Sequence, residues 1–168
     1  MDNFYEQLVV INKTIAKRLL IVLLWLAVIA ISTVCLILLL EIGVLLTAGL
    51  LFLAYKLTGM TTVEYEYIIT NGEMDVDKIV AKSKRTRVKT FKCAEIEKIE
   101  KYTPSVTSSA EDKKVLYCGN INENTYIFRV RHEKDGLIVF VLEPNERLRK
   151  EIYKYLQYSV KKSVEDWA

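Results

Sequence analysis

The sequence is poor in the residues that carry most catalytic and metal-binding chemistry. It contains one histidine, His132, and three cysteines, Cys35, Cys93 and Cys118, in 168 residues. The cysteines show neither paired nor metal-ligand spacing. A single histidine argues against a histidine-rich zinc site and against a histidine-based catalytic triad. We therefore expect no catalytic residues, no metal and no cofactor, and we predict that the protein is not an enzyme.

Charge is missing from one long stretch of the chain. Residues 19–55 include a single charged side chain, Glu41, and no proline. Residues 19–40 form an uncharged apolar run of 22 residues. As a helix this run is about 33 Å long, enough to cross a hydrocarbon core of about 30 Å. It predicts a membrane-spanning helix, because a chain of this size has no core that could surround the run on all sides.

The apolar sequence resumes immediately after Glu41. One continuous helix over residues 19–57 would be about 58 Å long, nearly twice the thickness of the membrane core. Two spans joined by a tight turn at residues 40–43 fit better, since Gly43 gives the backbone freedom and Glu41 stays out of the membrane centre. Five small residues either let the two helices approach closely or face lipid. They are Ala27, Ala30, Gly43, Thr47 and Gly49.

Basic residues flank the two predicted spans on one side only. Lys13, Lys17 and Arg18 precede the first span and Lys56 lies at the end of the second, whereas the connecting turn carries Glu41. The positive-inside rule then predicts a multi-pass cell-membrane protein with both termini in the cytoplasm. A cleaved signal peptide fits poorly, because the apolar run is too long and no small-x-small cleavage site follows it.

Residues 1–18 are predicted to form a separate cytoplasmic segment before the first span. Phe4, Leu8, Ile11 and Ile15 recur in it at helical spacing. We therefore expect either a short amphipathic helix on the inner membrane surface or an extension of the first span.

The composition changes at residue 61, and residues 61–168 read as one soluble domain of ordinary size. Val63–Thr70 alternates apolar and acidic residues, as a half-buried strand does. The Asn71-Gly72 pair that follows is a strong hairpin signal. A further turn is predicted at residues 83–84. The other predicted strands are residues 73–82, 85–91, 114–119, 124–132 and 137–142.

Two stretches of this domain are less regular, and a helix closes it. Residues 93–102 are ambiguous between helix and strand, and residues 104–114 are polar and serine-rich, as a mobile loop is. Residues 144–158 predict an amphipathic helix, followed by a polar tail that ends in Trp167. The apolar face of that helix is Leu148, Ile152, Tyr155, Leu156 and Ser159.

About seven strands in successive hairpins, closed by one C-terminal helix, resemble the pleckstrin-homology-like (PH-like) fold. Residues 63–87 (VEYEYIITNGEMDVDKIVAKSKRTR) and 140–148 (FVLEPNERL) resemble a bacterial family of short two-helix membrane proteins, described only as a domain of unknown function. The resemblance implies a membrane hairpin followed by a mainly antiparallel, cytoplasmic PH-like β domain. It implies no activity.

The strongest candidate site is a basic cluster around the second hairpin turn. We hypothesise that its central residues contact anionic lipid headgroups, to which each basic side chain adds about 1 kcal/mol of attraction. The alternative is a solvated hairpin edge, where such charges discourage pairing between sheets. The central residues are Lys82, Lys84, Arg85, Arg87 and Lys89; Lys78 and Lys92 flank them.

Other polar and aromatic groups suggest structural roles. The carboxylates of the first hairpin are expected to pair with basic residues on the neighbouring strand rather than to act in catalysis or to bind a cation. Four tyrosines are expected to pack rather than to form a ligand cage, and Cys93 has no histidine partner as a nucleophile. The carboxylates are Glu64, Glu66, Glu73, Asp75 and Asp77, and the tyrosines are Tyr65, Tyr67, Tyr117 and Tyr126.

Two classes of function remain open. In the first, a non-enzymatic membrane protein uses its cytoplasmic domain to contact lipid headgroups or a protein partner, which includes a second copy of the chain. In the second, the chain is an accessory subunit of a larger transport or envelope-stress assembly, with the membrane hairpin as its binding surface. Nucleic-acid binding is not expected, because aromatic and basic residues alternate on opposite faces of the strands, whereas base stacking needs them together.

Overall fold

The computed structural model describes residues 4–104 and 114–167. The chain divides into two compact units. The hairpin unit consists of Asn12–Val63 and Val80–Lys84, and the β-rich unit contains the other described residues. The loop predicted at residues 104–114 falls almost entirely outside the described residues.

Two long apolar helices build the hairpin unit. α1 is Ile15–Leu38 and α2 is Leu40–Met60, which gives lengths of about 36 Å and 32 Å. Both are long and apolar enough to cross a membrane, in agreement with the predicted hairpin. The chain reverses at Leu39, one residue before the predicted turn, and the Leu39 carbonyl oxygen accepts a hydrogen bond from the Gly43 amide at 3.0 Å.

Gly43 lies where α2 passes close to α1. A Cβ atom at this position would stand 2.4 Å from the carbonyl oxygen of Cys35. The glycine is therefore required by close helix packing, and not for backbone freedom as the sequence suggested. Thr47 is half-buried, so the small residues divide between the interface and the outer surface. Those that face outward are Ala27, Ala30 and Gly49.

The described strands form two four-stranded sheets. The first has the spatial order β1-β2-β3-β4 and contains β1 (Phe4–Val10), β2 (Val63–Thr70), β3 (Glu73–Val80) and β4 (Lys84–Lys92). The second has the order β5-β7-β8-β6 and contains β5 (Ile96–Lys101), β6 (Val115–Tyr117), β7 (Tyr126–His132) and β8 (Gly136–Leu142). β1 pairs with β2, β5 with β7 and β7 with β8 in antiparallel fashion, whereas β6 runs parallel to β8. The ambiguous residues 93–102 supply both kinds of structure, a 3₁₀ turn at Cys93–Glu95 followed by β5.

The amphipathic helix expected in the N-terminal segment is wrong, because Phe4–Val10 forms strand β1; the alternative, an extension of the first span, holds only for residues 15–18, where α1 begins. β1 pairs with β2 along its whole length. Val9 is buried, whereas Phe4 and Leu8, whose spacing suggested a helix, lie exposed on the outward face of the strand. The Gln7 amide nitrogen donates to the Glu143 carbonyl oxygen at 2.8 Å. β1 is thus an edge strand of the first sheet that is also tied to the residue following β8.

The C-terminal region closes the β-rich unit over its core. Helix α3 (Glu146–Tyr155) begins after Asn145, whose side-chain oxygen accepts from the Leu148 amide at 2.8 Å. The predicted helix is therefore present but ends at Tyr155, and a short helix α4 (Tyr158–Lys161) follows it. The expected polar tail is instead part of the core, since Trp167 is 1% exposed and meets the Tyr126 ring edge-on at 5.0 Å. A mainly antiparallel β domain closed by a C-terminal helix is confirmed, with eight described strands where about seven were expected.

Candidate functional site

The turn between β3 and β4 has an unusual backbone. Ala81 and Lys82 both have φ of 56°, a left-handed conformation that costs an L-residue about 1–2 kcal/mol. The Ser83 amide donates to the Val80 carbonyl oxygen at 3.2 Å and closes the turn. The turn thus occupies Ala81, Lys82 and Ser83, whereas it was predicted at residues 83–84. Lys82 is its central residue and is exposed.

This turn is tied to the end of α2 within the hairpin unit. The Ala81 amide donates to the Thr62 carbonyl oxygen at 3.0 Å, and the Thr62 amide donates to the Gly59 carbonyl oxygen at 3.1 Å. The Thr61 hydroxyl donates to the Thr58 carbonyl oxygen at 2.7 Å. The bonds to Gly59 and Thr58 satisfy carbonyl groups that the end of a helix leaves without partners, and the bond to Thr62 joins the turn to the residues that follow α2. They also hold Lys82 at a fixed place beside the last turn of α2.

A groove of about 450 Å³ opens beside this turn. All of its walls belong to the hairpin unit, and they come from the segment before α1, from both helices and from the β3–β4 turn. We call it the lysine groove, because three lysines line it. Its lining residues are Lys13, Trp25, Tyr55, Lys56, Thr58, Gly59, Met60, Thr62, Ala81, Lys82 and Ser83.

The aromatic residues of the lysine groove resemble an interfacial belt. Trp25 is half-buried, and its indole nitrogen donates to the Thr58 hydroxyl at 3.2 Å. Tyr55 is 69% exposed. Tryptophan and tyrosine are enriched where a membrane meets water, because their rings are apolar at one end and polar at the other. Their presence is typical of a site at the depth of lipid headgroups.

The three lysines of the groove have no carboxylate within 4 Å among the described residues. Lys56 has an aromatic neighbour, since its ammonium lies 5.8 Å from the centre of the Phe52 ring. Lys82 is exposed and Lys13 is half-buried. In the whole hairpin unit the only acidic residue is Glu41, in the first turn of α2 beside the helical reversal. The groove is therefore a region of uncompensated positive charge.

The five predicted contact residues divide into two groups. Lys82 and Lys84 lie in the hairpin unit, and neither has an ion-pair partner in the described part of the chain. Arg85, Arg87 and Lys89 lie along β4 in the β-rich unit and all form ion pairs. Their role in headgroup contact stays a prediction, but the two groups differ in how much charge they present to an external anion.

Acidic side chains of the first sheet neutralise Arg85 and Arg87. Arg85 Nη2 lies 2.5 Å from Glu66 Oε2, and Arg87 Nη1 lies 2.7 Å from Asp75 Oδ1. Arg87 also pairs with Asp77. The expected ion pairs with the neighbouring strand are therefore confirmed for Asp75 and Asp77 on β3, whereas Glu66 on β2 pairs with an arginine of β4, two strands away. Lys89 pairs instead with Asp135, in the turn between β7 and β8.

Two of the carboxylates that pair with these arginines, Glu66 and Asp77, are buried. The Glu66 side chain is 4% exposed, and this burial raises the pKa of its carboxyl group, with a further increase from a hydrogen bond with Glu6 and an opposing effect of Arg85. Removing a carboxylate from water disfavours its charged form. The buried carboxylates therefore depend on the charges of Arg85 and Arg87, and these paired arginines present less net charge to an external anion.

Of the other sequence candidates, Cys93, Cys118 and Tyr67 belong to the buried core of the β-rich unit, whereas Tyr117 is 48% exposed. Burial raises the pKa of both the Cys93 and the Cys118 thiol to about 12, so neither is a thiolate nucleophile near neutral pH. The Tyr67 hydroxyl donates to the Cys118 carbonyl oxygen at 2.6 Å, and Tyr67 is fully buried. His132 Nδ1 lies 3.2 Å from Asp135 Oδ2. The described residues contain no group of three metal ligands.

Sequence reasoning used Lys13 and Lys56 only as markers of orientation and did not assign them to a site. The lysines of the groove lie 26 and 43 residues apart along the chain, so no local motif joins them. The available signal was the pairing of basic residues with Trp25 and Tyr55 at the same ends of the two predicted spans.

The comparisons with known proteins agree with this architecture. A family model described as a bacterial PH-like domain (DUF6106) matches residues 1–162. Searches of the curated proteins and of the solved structures gave no match. The match covers the membrane-hairpin segment, the strands and most of the C-terminal region. The chain therefore belongs to the bacterial PH-like domain family DUF6106.

Proposed function

We propose that this protein is a non-enzymatic, multi-pass cell-membrane protein that contacts the anionic headgroups of the inner leaflet through the basic end of its hairpin unit, with both termini in the cytoplasm. A PH-like domain joined to two helices that can span a membrane fits a membrane-associated protein. The observation that carries the finer proposal is the one-sided charge of the hairpin unit.

Six basic side chains lie at or near the end of the hairpin unit away from the Leu39 reversal, and Glu41 alone lies beside that reversal. Positive charge favours the cytoplasmic side during membrane insertion. The same charge attracts anionic lipids once the protein is in place. The six are Lys13, Lys17, Arg18, Lys56, Lys82 and Lys84.

Lys82 and Lys84 carry the headgroup contact in this proposal, rather than the whole basic cluster. A cation paired with a carboxylate attracts a distant anion much less than a lone cation does, because the two charges of the pair largely cancel. Arg85, Arg87 and Lys89 are all paired in this way. Lys82 and Lys84 keep their full charge and are exposed. The non-enzymatic part of the proposal is supported by the usual role of PH-like domains as binding modules and by the high pKa of the buried thiols.

Reporter fusions test the orientation. A reporter placed at Glu41 and one placed after the last residue should lie on opposite sides of the membrane, the second in the cytoplasm. If both reporters are on the same side, the two-span hairpin is wrong.

Lysine acylation tests the headgroup contact in the full chain. The protein is reconstituted in nanodiscs of phosphatidylglycerol or of phosphatidylcholine, and the acylation rates of Lys82 and Lys84 are measured by mass spectrometry. Both lysines should react several-fold more slowly in the anionic discs. The difference should shrink as salt shortens the Debye length to about 3 Å at 1 M. Equal rates in the two lipids at low salt would disprove the headgroup contact.

A further inference from the structure

We infer that the lysine groove is a binding site for the phosphate headgroup of one anionic phospholipid. This inference rests on the proposed function, but it goes further. Attraction to a charged leaflet needs only exposed cations, whereas a site for one lipid needs a shaped cavity with converging donors.

The shape of the groove fits such a ligand. Its volume of about 450 Å³ lies within the usual range of small-molecule sites, about 300–1,000 Å³. Its three lysines come from three different segments, namely the stretch before α1, the last part of α2 and the β3–β4 turn. Cations from separate segments can surround an anion, whereas cations in one run along a strand present only a flat row.

The polar chemistry also fits a phosphate group. Lysine ammonium groups bind phosphate as point charges, and the hydroxyls of Thr62 and Ser83 add possible donors in the same lining. None of the lining residues is acidic, so nothing in the groove would repel an anion. Trp25 and Tyr55 also line the groove, and their rings offer apolar surface to the glycerol backbone and upper acyl chains of a lipid.

The strained turn supplies a second, independent observation. Ala81 and Lys82 keep a left-handed backbone that glycine would adopt without strain. Such outliers persist where the surrounding structure holds them, and they concentrate at binding and switch sites. A glycine at residue 82 would relieve the strain but would remove the ammonium group from the groove. The strain is thus explained if the Lys82 side chain is needed for binding.

The test uses tryptophan fluorescence of the full chain in phosphatidylcholine nanodiscs. Phosphatidylglycerol with brominated acyl chains is added in increasing proportion, because bromine quenches a tryptophan only on close contact. Trp25 is the reporter, since Trp167 is 1% exposed in the core of the β-rich unit. A Trp25→Phe variant shows how much of the quenching depends on Trp25. Brominated phosphatidylglycerol should quench at a lower proportion than brominated phosphatidylcholine.

Charge variants then separate one site from general attraction. Lys13→Gln, Lys56→Gln and Lys82→Gln should each weaken the phosphatidylglycerol preference about fivefold. Lys84→Gln is the matched comparison, because it removes the same charge two residues away but does not line the groove. As one of the two leaflet contacts it should weaken the preference by about twofold, clearly less than the fivefold loss expected for each lysine of the groove. Lys82→Gly should lose the preference as Lys82→Gln does while raising the melting temperature, which excludes misfolding as the cause.

The outcomes distinguish the two proposals. If Lys84→Gln weakens binding as much as Lys82→Gln, the attraction is diffuse; the single-lipid site is then overturned and the proposed leaflet contact stands. If the original protein shows no preference for phosphatidylglycerol, both proposals fail. Millimolar inorganic phosphate or glycerol 3-phosphate should not displace the brominated lipid. Displacement by either would overturn the lipid as the ligand in favour of a soluble phosphate compound.

Discussion

Two tight turns in this chain each contain two successive residues with positive φ, but the turns differ in sequence. The turn after β2 has Asn71 and Gly72 at φ of 50° and 86°, and the turn after β3 has Ala81 and Lys82 at 56° each. Asparagine and glycine are the residues that a turn with two positive φ angles favours. Alanine and lysine are not. The chain therefore places two successive residues at positive φ once at low cost and once under strain.

The surroundings of the two turns explain the difference. Gly72 lies against the Tyr155 ring, and its carbonyl oxygen accepts from the Cys93 amide at 2.8 Å. That turn helps to pack α3 and the 3₁₀ turn onto the first sheet. The Ala81-Lys82 turn instead forms a wall of the lysine groove. The first turn has the residue types that stabilise it; if the lysine groove binds a phosphate group, the second turn keeps Lys82 for its ammonium group despite the strain.

The largest effect is expected for Gly72→Ala. The new Cβ would stand 2.7 Å from the Tyr155 ring, at φ of 86°. We expect the free energy of unfolding to fall by about 2–4 kcal/mol, from the sum of backbone strain and overpacking. Urea titration of the full chain in mild detergent, followed by circular dichroism, measures this value.

Gly136→Ala is the control for the backbone contribution. Gly136 has φ of 71°, and a Cβ there would meet nothing within 4 Å. It should cost only about 1 kcal/mol. If the two substitutions lowered the free energy of unfolding equally, packing against Tyr155 would contribute nothing. The turns after β2 and β3 would then differ in sequence alone.

A smaller effect of opposite sign is expected when the second turn receives the sequence of the first. The double replacement Ala81→Asn with Lys82→Gly should raise the free energy of unfolding by about 1 kcal/mol, since the relief of strain exceeds the entropy cost of glycine. The same urea titration measures it. A loss of stability would show that this turn is not strained, and it would remove one support for the lysine groove.

The first of these turns could be predicted from sequence and the second could not. Asn71-Gly72 marks its turn by residue type, so β2 and the hairpin were found correctly. Ala81-Lys82 gives no such signal, so the turn was predicted at residues 83–84 and β3 was drawn two residues too long. Its conformation depends on the Thr62 carbonyl oxygen, which lies 19 residues earlier in the chain.

Distant pairing also explains the errors at the two ends of the chain. β1 contacts a strand that begins 53 residues after β1 ends, so its apolar spacing alone could not reveal a strand. Trp167 follows a polar run, and only its packing against Tyr126 and Phe128 shows that it belongs to the core. The two long apolar helices were predictable because their signal, apolar length, is entirely local.

The smallest effect is expected for a reciprocal exchange between the two turns. Ala81→Asn alone should raise the free energy of unfolding by about 0.5 kcal/mol, because asparagine tolerates the left-handed conformation better than alanine does. Asn71→Ala should lower it by at least as much for the same reason. Asn71 lies outside the groove, so Asn71→Ala should leave the lipid preference unchanged, whereas Ala81→Asn changes a lining residue without changing its charge and should alter the preference far less than Lys82→Gln does. Urea titration and tryptophan quenching of the same preparations measure the two quantities together. If Ala81→Asn changed the lipid preference as much as Lys82→Gln does, the backbone of this turn would matter for binding in its own right, and the strain could not be explained by the Lys82 side chain alone.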